Sequence, residues 1–272
     1  VIKGQAQKPV YLLIEDDNVT ICDATGLWGK DSWESIDILK TRHYGVDVAL
    51  IGPAGENLVR FASLENGRYD GWGRTGLGAV MGSKKLKAVA VRGTKGIRPA
   101  DPQGLLDVSM RAQNVIKAIP SYVPFTQYGT MNATIPYGKF KALSAHNFTL
   151  GTLPNWKENY GRQVVDLYSD RHMACQSCII ACAHWVEINE GKYKGLKMKD
   201  MEITPMVSFG GNCGLSTDAA IKASELSQRY GVDMVSVGGV LAFAIELYQK
   251  GIISLEDLGY DISFGDDDTI FR

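Results

Sequence analysis

Cys175-Gln-Ser-Cys178-Ile-Ile-Ala-Cys182 sets three thiols in a C-x2-C-x3-C run. Thiolates spaced this closely can grip one metal centre, and iron-sulfur clusters are held mainly by cysteine sulfur. A structural zinc site is the alternative. Its cysteines usually come as two separated pairs, or as a pair with histidines, and His172 and His184 flank this run. Three buried, inert cysteines are the third reading. A 4Fe-4S cube needs a fourth ligand, and spacing alone nominates Cys213, the one cysteine downstream. Its surroundings, Gly210-Gly-Asn-Cys-Gly214, suit a tight turn around a small buried side chain equally well. Cys22 reads as a strand residue. Five cysteines are an odd count for a secreted disulfide scaffold, and metal ligation in a reducing cytoplasm fits them better.

The second chemical feature is glycine-rich: Gly71-Trp-Gly-Arg-Thr-Gly-Leu-Gly-Ala-Val-Met-Gly82-Ser-Lys-Lys85. Closely spaced glycines let backbone amides approach an anion, Arg74 can fork onto a phosphate, and Lys84 and Lys85 add positive charge. A flexible turn with solvated lysines is the plainer alternative. Gly71, Gly73 and Gly76 satisfy the dinucleotide fingerprint by spacing, but the next strand starts near Lys87. That leaves too little chain for a crossover helix and its parallel strand. A Walker A loop is excluded because Ser83 rather than lysine follows Gly82.

These features must be carried by recognisable elements. Val10–Ile14 and Val19–Cys22 flank Glu15-Asp-Asp-Asn18 and predict a hairpin. Asp31-Ser-Trp-Glu34 has capping-box spacing ahead of a short helix. Val46–Ile51 and Leu58–Leu64 read as strands joined through Gly52-Pro-Ala-Gly55, and Lys87–Arg92 is a further strand. Asp101-Pro102 opens a helix to about Pro120. Residues 120–160 read as ordered loop with short helices. A helix runs from Ser216 to Tyr230 and stops at Gly231; another spans about Ser236–Lys250 and stops at Gly251. The fold class is therefore α+β, β-rich up to residue 98 and mostly α-helical over 99–272.

Net charge is −1, from 29 basic and 30 acidic residues, so no field favours nucleic acid or anionic lipid. Apolar runs such as Val235–Leu247 contain glycines and fall short of a membrane span. The 45% hydrophobic and 22% charged composition is that of a soluble globular chain.

Taken together these residues resemble the tungsten-containing aldehyde:ferredoxin oxidoreductase family. Gly73–Gly93 is close to the family signature before its helical domains. Gly52-Pro-Ala-Gly-Glu-Asn57 with Val59-Arg-Phe-Ala62 is similar to an upstream block, and the cysteine run matches the cluster motif in order and spacing. Tyr230-Gly-Val-Asp-Met-Val-Ser236, leading into Ala242–Glu246, resembles the first pterin-binding turn. The resemblance implies that residues 1–98 are the later part of a β-rich pterin-binding domain. It also implies that 99–272 form an α-helical domain carrying the cluster cysteines and a pterin turn, with further sequence before Val1 and after Arg272.

The implied cofactors are a tungsten bis-pyranopterin, a 4Fe-4S cluster and a magnesium ion bridging the pterin phosphates. Arg74 and Thr75 match positions at those phosphates and the magnesium, Gly76 and Gly78 match close-approach glycines, and Asp233 matches a carboxylate at the pterin edge. Cys175, Cys178 and Cys182 match cluster ligands; the fourth ligand lies beyond this sequence, which makes Cys213 a non-ligand. Glu202 matches a glutamate near tungsten and is the candidate proton handler, a solvated surface carboxylate being its bland alternative.

The implied reaction oxidises a small-molecule aldehyde to a carboxylate. Electrons pass to ferredoxin or an iron-sulfur electron-transfer subunit, and the cytoplasmic enzyme is an oligomer. Two positions depart from the pattern: Gln228 stands where the pterin turn usually has aspartate, and Thr204 where a second glutamate is usual. The second departure leaves open a catalytic subunit that reduces aromatic acyl-CoA esters. An iron-sulfur electron-transfer module without its own catalytic centre is the rival from another class.

Overall fold

The computed structural model describes residues 1–272. They form two compact units, one of residues 1–94 with 222–272 and one of residues 95–221.

In the first unit, β1 (Val10–Glu15) and β2 (Asn18–Asp23) pair antiparallel with Glu15 opposite Asn18. Asp16 and Asp17 alone make the turn, and Asp16 takes φ 53°, the left-handed region that tight hairpins require and aspartate tolerates. The Asp16 carboxylate also accepts the N–H and the hydroxyl of Thr94. α1 (Ser32–Arg42) begins at the expected capping box, Asp31 and Glu34 each accepting the other's backbone N–H. Then come β3 (Asp47–Leu50), α2 (Pro53–Glu56), β4 (Leu64–Asn66), β5 (Asp70–Trp72), α3 (Leu77–Ser83) and β6 (Leu86–Arg92). The sheet order is β2-β1-β6-β3-β4-β5, with β1 and β6 parallel and the other pairs antiparallel. Alternate residues of β1, β3 and β6 (Tyr11, Val48, Leu50, Ala88) bury against Ile36 and Leu39 of α1. Each large apolar side chain so removed from water stabilises the unit by about 1.5–3 kcal/mol.

Of Leu58–Leu64, expected as a strand, only Leu64 lies in one, where it opens β4. Pro53 starts the helical turn α2, Leu58 sits at φ 59°, and the Val59 N–H turns back to the Ala54 carbonyl. The backbone of this stretch pairs elsewhere: Asp233 donates its N–H to Phe61 O at 3.0 Å, and Ser63 donates to Gly231 O at 2.9 Å. The helix Thr217–Tyr230 contributes its residues from Lys222 onward to this unit, and Gly231 follows at φ 70°. The helix Met234–Gln249 is capped by Asp233 and ends before Gly251 at φ 68°.

The second unit opens with α4 (Pro102–Ala118), whose Asp101 cap accepts the Gly104 N–H as its sequence predicts. Short helices follow at Tyr122–Tyr128, Thr134–Lys139 and Trp156–Tyr160. A second sheet interrupts the helical region: β7 (Ser169–Met173), β8 (Ala183–Glu187) and β9 (Lys197–Asp200), antiparallel in that order. Ser-Asp-Arg-His-Met in β7 has little apolar alternation, which is why no strand was expected there. No helix of the chain is long and apolar enough to cross a membrane.

Candidate functional site

The three cysteines lie on the connection between β7 and β8. This loop turns tightly: Cys178 donates its N–H to Cys175 O at 3.0 Å, and Ser177 and Ala181 take φ of 60° and 51°. The Ile180 N–H points at Cys178 Sγ at 3.5 Å, and the Ile180 and Ala181 amides hold the Cys178 thiol below its ordinary range. Oriented amides on a sulfur favour its anion. Cys175 and Cys178 are exposed and Cys182 is half-buried. The Cys182 thiol is pushed up first by burial, then by the Glu202 carboxylate and the Cys178 and Cys175 thiols. Three acidic groups thus act together on the Cys182 thiol and disfavour its ionisation. A bound cationic centre relieves that repulsion.

Neighbouring backbone fixes this loop. Gly129, at φ 54°, leaves room for the Cys182 carbonyl, which would lie 2.0 Å from a Cβ there. Cys213 is fully buried and its thiol donates to Ser208 O at 3.4 Å; the small buried side chain is as expected, but it ends a helical run rather than sitting in a tight turn. His184 is buried, with Nε2 3.1 Å from Gln127 O and its ring 4.7 Å from that of His172. Glu202 is half-buried and stands just before the short turn Ile203–Pro205, which runs into a π-helical segment, Met206–Gly211. Such segments recur at functional sites.

The second constellation belongs to the first unit. β5 delivers Gly73 and Arg74, the latter exposed and at φ 61°, and Thr75 beside it is exposed. Asp233 accepts the Ser236 N–H through Oδ2 at 2.7 Å, while Oδ1 faces Gly73, only 2.6 Å from where a Cβ would stand. Its turn is anchored on α1: Ser32 Oγ donates to Gln228 O at 2.6 Å. Arg229 pairs with Asp31 at 2.8 Å and lies 4.3 Å over the Trp33 ring. Gly76 and Gly78 face protein backbone, since a Cβ would meet Arg60 O at 2.5 Å and Ser63 O at 2.4 Å. They let α3 sit against residues 60–63. Lys84 and Lys85 reach the Gly4 and Gln7 carbonyls at 3.3 and 2.7 Å, so their charge is spent on the N-terminal segment.

Sequence reasoning missed two positions. Glu65, in a polar stretch that looks solvated, is buried with its Oε1 accepting from Ser63 Oγ at 2.5 Å. Gly129 carries no signal beyond being glycine in a loop.

Comparison with known proteins adds an independent line. Residues 1–93 match the family model described as the aldehyde ferredoxin oxidoreductase N-terminal domain, and residues 107–272 match that of its domains 2 and 3. The tungsten-containing aldehyde ferredoxin oxidoreductase of Thermococcus kodakarensis is 36% identical over 264 residues, 95% of this chain and 43% of the relative. The aliphatic sulfonate oxidoreductase WOR-like subunit of Pyrococcus furiosus is 31% identical over 290 residues, 98% of this chain and 45% of the relative. The solved active-site complex BamBC of benzoyl coenzyme A reductase, bound to 1,5-dienoyl-CoA, superposes with TM-score 0.80 at 28% identity. It covers 99% of this chain and 42% of that one. The chain therefore spans less than half the length of these relatives.

Proposed function

We propose a redox enzyme from the premise that this chain belongs to the aldehyde ferredoxin oxidoreductase family. The whole protein would oxidise an aldehyde to a carboxylate and pass the electrons through a 4Fe-4S cluster to ferredoxin or an iron-sulfur subunit. The observation that carries this reading is that the Cys175, Cys178 and Cys182 thiols share one amide-lined loop, with the Glu202 carboxylate acting on the Cys182 thiol.

The donor sets fit the implied groups. Three free thiols, one of them favoured as thiolate by backbone N–H groups, suit cluster ligation, and the buried, hydrogen-bonded Cys213 stays outside it. Arg74 and Thr75 would hold the pterin phosphates and their magnesium. Asp233 Oδ1, left by the cap to face Gly73, would accept hydrogen bonds from the pterin edge. When bound, the tungsten pterin supplies Lewis acidity and a two-electron store, and the cluster a one-electron path. The chain's own residues bind and orient, and Glu202 takes up a proton released as aldehyde and water become carboxylate. The balance is two electrons and three protons released per aldehyde.

The test is aldehyde-dependent reduction of ferredoxin by the anaerobically purified protein. Turnover of an aldehyde with loss of activity in Glu202→Gln supports the reading, and failure with every aldehyde class contradicts it. A second reading, reduction of an aromatic acyl-CoA ester, is favoured by the likeness to the benzoyl coenzyme A reductase complex and by Thr204. Assaying aromatic thioesters beside aldehydes separates the two.

A further inference from the structure

Glu65 is a charged residue type in an uncharged place. The residue is 4% exposed in β4, between Leu50 of β3 and Gly71 of β5 in the ladder. Leu50 is fully buried and apolar. Across the hairpin, Asp70 acts on Glu65 with a like charge. From the preceding segment, the Ser63 hydroxyl donates to its Oε1. None of these neighbours offers a cation.

Its two carboxyl oxygens touch both halves of the cradle. Oε1 holds Ser63, whose N–H is given to Gly231 O at 2.9 Å and whose carbonyl backs Gly78. Oε2 backs Gly71, lying 3.0 Å from where a Cβ would stand, two residues before Gly73 and its contact with Asp233.

We propose that Glu65 is a positioning residue: as a neutral carboxylic acid it braces the Gly71–Arg74 segment against the Ser63–Gly231 junction, and losing its proton loosens that brace. The inference rests on the reading of these segments as the pterin cradle. Burial and the Asp70 charge push its carboxyl up to about 7, against an ordinary 4.5. An acid whose folded value is raised favours the closed form fully below its unfolded value. That preference falls as pH rises and is gone above the folded value. The window is therefore from about pH 4.5 to about pH 7. A carboxylate formed there has no cation to answer it, and the local structure opens to hydrate it.

The experiment uses the full-length protein as wild type, Glu65→Gln and Ser63→Ala. Amide exchange of Gly71–Arg74 is followed between pH 5 and pH 8 and corrected for intrinsic rates; tungsten retention is measured after dialysis at each pH. The expected wild-type protection falls on the order of a hundredfold across that range. Glu65→Gln, which keeps the neutral shape, holds its protection and its tungsten at pH 8. Ser63→Ala moves the midpoint upward, because the hydroxyl that favours the carboxylate is gone. A Glu65→Gln profile that follows wild type, or an unmoved midpoint in Ser63→Ala, overturns the proposal. Wild type without tungsten at any pH contradicts the pterin reading instead, and the exchange profiles still decide whether Glu65 braces the segment.

Discussion

Replacing Lys87 by methionine tests how the platform under the glycine segment is held. Lys87 Nζ lies 2.5 Å from Glu56 Oε1 and donates to Lys30 O at 2.9 Å; the side chains of the pair are 0% and 4% exposed. Burial pulls the Lys87 ammonium below its ordinary range, and Glu56 offsets part of that fall. The other Glu56 oxygen accepts the Gly29 N–H at 2.7 Å. Methionine fills nearly the same volume, so the loss is mainly electrostatic: Glu56 keeps its burial and one hydrogen bond and loses its counter-charge. Breaking a buried pair from one side costs about 3–5 kcal/mol. α2 would bear the effect, and α2 supports α3, since Gly55 lies so close that a Cβ would stand 2.9 Å from Gly78 O. Urea denaturation at pH 7 should show the full loss. The pair Lys87→Met with Glu56→Gln should recover most of it. A loss under about 1 kcal/mol at pH 7, or no recovery in the double variant, would refute a buried, charged pair.

Three further outcomes follow from the sites. Cys182→Ser should lower iron content and bleach visible absorption, whereas Cys213→Ser should keep both and cost only packing; metal analysis of the two variants checks this. Gly73→Ala should displace the Asp233 carboxylate, lowering tungsten content while shifting the thermal midpoint little; matched scans and tungsten assays are the measurement. Asp233→Ala should cost about 1 kcal/mol in urea denaturation through the lost cap, and Asp233→Asn much less, since asparagine caps as well.

Local rules made much of the scaffold legible. The hairpin turn at Asp16-Asp17, the Asp31 and Asp101 caps, and the stops at Gly231 and Gly251 each rest on a few adjacent residues. What escaped was non-local. Leu58–Leu64 reads as a strand by its apolar content, yet its carbonyls and amides are claimed by residues about 170 positions later, a pairing no periodicity reveals. The β7–β9 sheet escaped because its strands are short and the outer two, β7 and β9, are mostly polar. In the candidate sites, the close spacing of the three thiols already places them on one short loop. The glycines at 76 and 78 are explained by backbone neighbours at 60 and 63, and Glu65 by a burial that its own segment conceals.

Electron paramagnetic resonance of the anaerobically purified, dithionite-reduced protein, with iron, tungsten and zinc measured on the same sample, decides most directly whether the thiol loop holds a cluster. Iron and tungsten are expected together, with a reduced-cluster signal that disappears in Cys178→Ser. Zinc in place of iron, or a cluster signal untouched by Cys178→Ser, would contradict a cluster on that loop.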